Sequence, residues 1–142
     1  MGSRATIGLV LVLVLALRSL LAMVLAAVAF CVANLAGSEL AMLAGFPGGG
    51  ERRLAWDLGW VIVAGVLAAW VAAVLAPRAP RAHVLVLFAM LLAIAVFAVL
   101  RLGGDWPWWF SVGAVATLPL QAWLGARWAL RAKARRAVPG AG

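Results

Sequence analysis

Leu58 to Ala76 reads LGWVIVAGVLAAWVAAVLA, nineteen consecutive residues without one ionisable side chain. At a rise of about 1.5 Å per residue a helix of that length covers roughly 28 Å, close to the ~30 Å hydrocarbon thickness of a bilayer. Working outward, three more apolar runs occur. They are Thr6 to Ala36, broken once by Arg18, then Val84 to Leu100, and Trp108 to Ala126. With 68% hydrophobic and 11% charged residues in 142, the chain is too apolar for a water-soluble core. Open sheets are excluded because lipid leaves their edges unpaired, and the solid runs lack the polar alternation of a barrel. The expected fold is an all-α membrane protein, a single four-transmembrane-helix bundle. Its spans fall at about 6–36, 55–76, 83–102 and 107–130, followed by a basic cytoplasmic tail at 131–142.

The charges give the expected orientation. Four spans put both ends on one side. There Arg4, Arg78, Arg81, Arg127, Arg131, Lys133, Arg135 and Arg136 stand against Arg52, Arg53 and Arg101 on the other, eight against three. The positive-inside rule then predicts N-in and C-in. The four acids, Glu39, Glu51, Asp57 and Asp105, all fall on the minority side, in or beside two of the gaps. A formal charge of +8 in a soluble protein would point to nucleic acid; at membrane boundaries the nearer partner is an anionic phospholipid headgroup. Arg127, Arg131 and Arg135 recur every four residues and predict one basic stripe, with Lys133 and Arg136 beside it, in contact with headgroups. Eleven arginines against a single lysine point to a GC-rich bacterial source.

Arg4 followed by an apolar stretch imitates a signal peptide, but no small-x-small cleavage site precedes the resumption at Leu20, so an uncleaved first span is expected. Met1-Gly2-Ser3-Arg4-Ala5-Thr6 also fits a myristoylation pattern, to which a bacterial chain gives little weight. Gly37 to Arg53 holds a short helix capped by Ser38, then Phe46-Pro47 and three glycines, a connector or a flexible lid. Ala76 to Arg81 carries two prolines and forces spans two and three to be antiparallel neighbours. The equally tight Gly103-Gly104-Asp105 does the same for spans three and four. Asp105 before Trp106-Pro107 reads as a capping carboxylate with proline in the first helical turn.

In lipid, helices gain little from burying apolar surface against each other, so small residues that permit close approach supply the contact. Span two offers Ala64, Ala68 and Ala72 beside Gly65, Ala69 and Ala73, a face expected at the bundle centre or a dimer seam. Trp56, Trp60, Trp106, Trp108 and Trp109 gather near the outer boundary and Trp128 near the inner one. That placement fits an aromatic belt better than a ligand cage. Trp70 and Trp123 lie deeper. Asp57 is placed to pair with Arg53 or Arg101 at the outer surface.

Arg18 is the one charge inside a span. Counted from Arg4, it lies roughly 21 Å in, past the midplane, where insertion costs about 2.5–3.5 kcal/mol and a partner is expected. Pro119 frees the Val115 carbonyl at a similar depth, with Thr117 and Gln121 about a turn away. Arg18 is therefore expected to pack on span four against Val115, Thr117 or Gln121. Its role is structural, or that of an anion or lipid-headgroup site.

No cofactor is implied. Cys31 stands alone and His83 has no second histidine for a bis-His haem. Acid–base chemistry would rest on Asp57, Asp105 or His83 without convergent partners. A non-enzymatic accessory subunit or small oligomer, in a homo-oligomer or a larger membrane complex, is the expected function; the alternative is a small transporter or lipid-binding protein using Arg18.

The stretch from Leu54 to Arg131, above all Asp105-Trp106-Pro107-Trp108-Trp109-Phe110 and Leu118-Pro119-Leu120-Gln121-Ala122-Trp123-Leu124-Gly125, resembles small four-span bacterial inner-membrane proteins to which no activity is attached. The resemblance implies a fold and an inner-membrane location. Small multidrug transporters fit poorly, since they carry a carboxylate in the first span where this chain has Arg18. Disulfide-forming quinone reductases need paired cysteines.

Overall fold

The computed structural model describes residues 2–46 and 48–136, with side chains from residue 6 onward. The order is α1 (Gly2–Leu43), α2 (Glu51–Leu75), α3 (Pro80–Leu102), a 3-10 turn (Gly103–Asp105), α4 (Trp108–Ala116) and α5 (Leu118–Arg136). The described residues are all-α, and three helices are long and apolar enough to cross a membrane: Thr6–Leu43, Glu51–Leu75 and Pro80–Asp105.

The fourth run is divided. Pro119 has no N–H to give to Val115, and the helical hydrogen-bond ladder is disturbed where the proline ring needs room. Thr117, at φ −82° and ψ −14°, turns its N–H toward the Gly113 and Val115 carbonyls and so separates α4 from α5. The Gln121 N–H still reaches the Thr117 oxygen at 3.0 Å, so the helical path resumes at once.

α2 is the centre. It packs against α1, α3, α4 and α5, whereas α1 lies on α2, touches α3 lightly and makes no substantial contact with α4 or α5. The small-residue face expected of span two is where this happens: Ala64, Gly65, Ala68, Ala69, Ala72 and Ala73 are all buried. α1 answers with a stripe of its own, Ala22, Ala26, Ala33, Gly37 and Ala41. The core joins Ala26, Ala68, Ala69, Ala72, Ala73, Val84, Leu87 and Ala129, so alanine methyls from three helices meet the side chains of α3 at close range.

The helix ends depart from expectation at two places. Ser38 caps no short helix; it lies inside α1, which runs on until Gly45 (φ +76°) ends it, with the Phe46 N–H bonded to the Ala41 carbonyl at 2.9 Å and that of Gly45 to Met42 at 3.1 Å. This is a Schellman stop, which needs a left-handed residue that glycine supplies without strain. Asp105 caps nothing either. Trp106 is extended (φ −109°, ψ 145°), and Pro107 becomes the residue flanking α4, with no side-chain cap. The N–H groups of Phe110 and Ser111 go to the Pro107 carbonyl instead. The basic stretch is helical as far as Arg136, in keeping with the four-residue spacing of Arg127, Arg131 and Arg135, and residues 137–142 lie outside the described part. Between α2 and α3 the two-proline connection holds Ala79 left-handed (φ 45°, ψ 62°), which brings Pro80 into the first turn of α3.

Candidate functional site

At the end of the bundle where α1 stops and α2 starts, Arg53 is a hub. Its Nε donates to both carboxylate oxygens of Asp57 (2.9 and 3.1 Å), Nη2 to Ser38 Oγ at 2.6 Å and Nη1 to the Phe46 carbonyl at 3.4 Å. Trp56 Nε1 donates to the Gly37 carbonyl at 2.8 Å, and its ring packs between Phe46 and Trp60. Trp60 lies over Gly37, where a Cβ would collide with the indole. The Arg53–Asp57 pair is legible from spacing; its reach to Ser38 and Phe46 is not, because both sit across the loop. This cluster ties the glycine-rich connection to both helices. Arg53→Ala should lower stability by about 1–2 kcal/mol and speed limited proteolysis within residues 46–50. Arg53→Lys should recover only part of it, since an ammonium lacks the planar fork.

On the neighbouring edge, Trp106 and Trp109 stack edge-on against buried Phe110 at 5.2 and 6.0 Å, while Trp108 is 77% exposed. Trp70 borders the core, and Trp128 is half exposed.

In the centre, Gln121 is 1% exposed. Its Nε2 donates to Thr117 Oγ1 at 2.9 Å, and that hydroxyl donates to the Gly113 carbonyl at 2.7 Å. Gln121 Oε1 is buried without a hydrogen-bond partner, turned onto Gly65, where an added Cβ would overlap it. Only a Cα hydrogen, a weak donor, occupies that spot. Gly125 makes the other close approach, one turn along α5. A Cβ there would lie 2.5 Å from the Val66 carbonyl oxygen and 2.8 Å from the Trp70 nitrogen.

Arg18 does not join this cluster. It is exposed on α1, and no hydrogen bond among the described residues links it to Val115, Thr117 or Gln121. Val115 is half-buried and Pro119 exposed. The reason lies in the register. Gly37 meets Trp56 and Trp60, and Ala26 meets the Ala68–Ala73 stretch, so α1 and α2 run antiparallel. Carried back along α1, this pairing sets Arg18 level with the α2–α3 connection near Ala76 to Ala79. Counting along α1 alone cannot place Arg18 against span four, because α1 overhangs the bundle.

That end of the molecule is basic. Lys133 reaches toward the Ala76 carbonyl at 3.5 Å, so α5 runs parallel to α2 and brings its cationic last turns beside the same connection. Arg127 lies over the Trp123 ring at 4.8 Å, and Arg127, Arg131, Arg135 and Arg136 are exposed. His83 Nδ1 is 3.3 Å from the Ala79 carbonyl one turn back, in the first turns of α3. Cys31 is exposed on α1.

Compared with known proteins, the chain matches no family model, no curated protein and no solved structure.

Proposed function

We propose that this chain is a four-span protein of a bacterial inner membrane, with both termini cytoplasmic and an aromatic belt at its outer face, which works through helix packing as an accessory subunit or small oligomer. The α4–α5 path serves as the fourth span, and the eight-to-three distribution of basic residues supports the orientation.

The observation that carries the reading is the overhang of α1. Its 42 residues extend about 63 Å. Even tilted by ~40°, a helix needs only about 26 residues to cross a ~30 Å hydrocarbon layer. From Ile7 to Val14 every residue is exposed and all are apolar except for Gly8. Large apolar surfaces beyond the bundle mark association sites.

The test is the protein mass of the wild-type chain in a mild detergent. A discrete assembly is expected, either a multiple of the 14.8 kDa chain or a stoichiometric pair with another subunit. Leu13→Arg should return it to single chains. A wild-type chain that runs alone at every concentration sinks the proposal.

A further inference from the structure

Between the start of α3 and the middle of α5 runs a two-part cleft whose lining changes character along its length. The part nearest the basic end has a volume of about 570 Å³ and is lined by Arg81 from α3 and by Arg127 and Arg131 from α5. The next part, about 250 Å³, is apolar, with Val84, Leu85 and Phe88 on one wall and Pro119 and Ala122 on the other. Arg81, Trp123 and Ala126 line both parts, so the two are continuous.

The three guanidiniums have no carboxylate near them. Among the described residues the one ion pair is Arg53–Asp57, and Glu39, Glu51, Asp57 and Asp105 all lie at the opposite end of the helices. Nor does any hydrogen bond among those residues occupy Arg81, Arg127 or Arg131; Arg127 is held only by its stacking on Trp123. Guanidinium forks of this kind match phosphate oxygens.

We propose that this cleft binds one anionic glycerophospholipid. The phosphate sits among Arg81, Arg127 and Arg131, and an acyl chain runs between α3 and α5 along Phe88, Pro119 and Ala122. Charge complementarity selects the headgroup, because the ammonium of a zwitterionic lipid would face cations. The apolar compartment, aligned with the helices, selects a lipid over free phosphate. Sequence spacing puts Arg127 and Arg131 on one stripe; the fold adds Arg81 and the groove, which turn a charged surface into a site. The inference is independent of the assembly reading, since the cleft is formed within one chain.

The wild-type chain in mild non-ionic detergent is titrated with dioleoyl phosphatidylglycerol, dioleoyl phosphatidylcholine and inorganic phosphate, and bound lipid is counted by native mass spectrometry. Saturable uptake of one phosphatidylglycerol is expected, at least tenfold tighter than phosphatidylcholine, with phosphate failing to displace it. Arg127→Ala with Arg131→Ala should weaken it at least tenfold. Arg135→Ala with Arg136→Ala, an equal loss of charge outside the cleft, should leave it unchanged. Ala122→Trp should block uptake with all charges intact, and Leu85→Asp, at an exposed position that leaves the core untouched, should weaken it. Helical circular dichroism checks that each variant is folded. Equal weakening by the two arginine pairs would reduce the site to general surface attraction, and full displacement by phosphate would make it an anion site. Either result, or the absence of saturation, overturns the proposal.

Discussion

Gly125→Ala is expected to destabilise the bundle by about 2 kcal/mol, more than any other single methyl added to α5. A new Cβ there would stand 2.5 Å from the Val66 oxygen, 2.6 Å from the Ala69 methyl and 2.8 Å from the Trp70 nitrogen. Two of these three atoms are backbone, so no side-chain rotation can relieve the overlap. α5 has to move off α2. Overpacking of this kind costs about 1–3 kcal/mol, and the rigidity of the partner puts Gly125 at the upper end. Against it stands the better helix propensity of alanine, worth about 1 kcal/mol. Displacement of α5 also loosens Gln121 and Ala129, both buried on the same helix, so the loss spreads along the α2–α5 interface. The measurement is thermal unfolding in detergent, followed by tryptophan fluorescence. Gly59→Ala is the control, because α2 has open space at Gly59 and the propensity gain should there appear alone. Equal melting temperatures for wild type and Gly125→Ala would show that α2 and α5 do not cross this closely.

How far such contacts can be read from sequence depends on whether their cause is local. The small-residue face of α2 is legible because a four-residue repeat is a property of one helix, and all six residues are buried. The Arg53–Asp57 pair is legible for the same reason, as an i, i+4 relation. What fails depends on relations between helices. The expected contact of Arg18 with span four is absent among the described residues, since its neighbours are set by how far α1 slides along α2, and Gly37 under Trp60 fixes that slide. Asp105 looks like a cap, but the extended Trp106 moves the start of α4 beyond its reach. Ser38 has the right type for a cap and is instead a partner of Arg53, fifteen positions on. Gly65 and Gly125 are legible as small, while the groups that require them to be small sit on opposite helices. The Arg81–Arg127–Arg131 cleft is legible in part: the stripe on α5 is periodic and the tight third connection sets the start of α3 beside the end of α5, but the groove between them depends on which faces the two helices turn to each other.

Gly65 and Gln121 should show strong coupling in a double-mutant cycle, the second large effect expected. Gly65→Ala alone forces the Gln121 carboxamide out of its place, breaking its 2.9 Å bond to Thr117 and overpacking the α2–α5 contact, for a loss of about 2 kcal/mol. Gln121→Ala alone gives up that hydrogen bond and leaves a void, yet it also removes a buried oxygen with no hydrogen-bond partner. Those terms oppose each other, and a net loss of about 1 kcal/mol is expected. In the double variant the methyl added at position 65 enters the space that the carboxamide leaves. Its stability should match that of Gln121→Ala rather than fall to the sum of the single losses, a coupling of about 2 kcal/mol, well above the ~0.5 kcal/mol scatter of independent sites. Gln121→Glu separates the steric from the polar part. It keeps the shape but offers Thr117 an acceptor in place of an amide donor, so it should destabilise without clashing with Gly65, and Gly65→Ala should still cost its full amount on that background. Additive single losses in the Gly65→Ala, Gln121→Ala pair would place the carboxamide away from Gly65. The closeness of α2 and α5 would then rest on Gly125 alone.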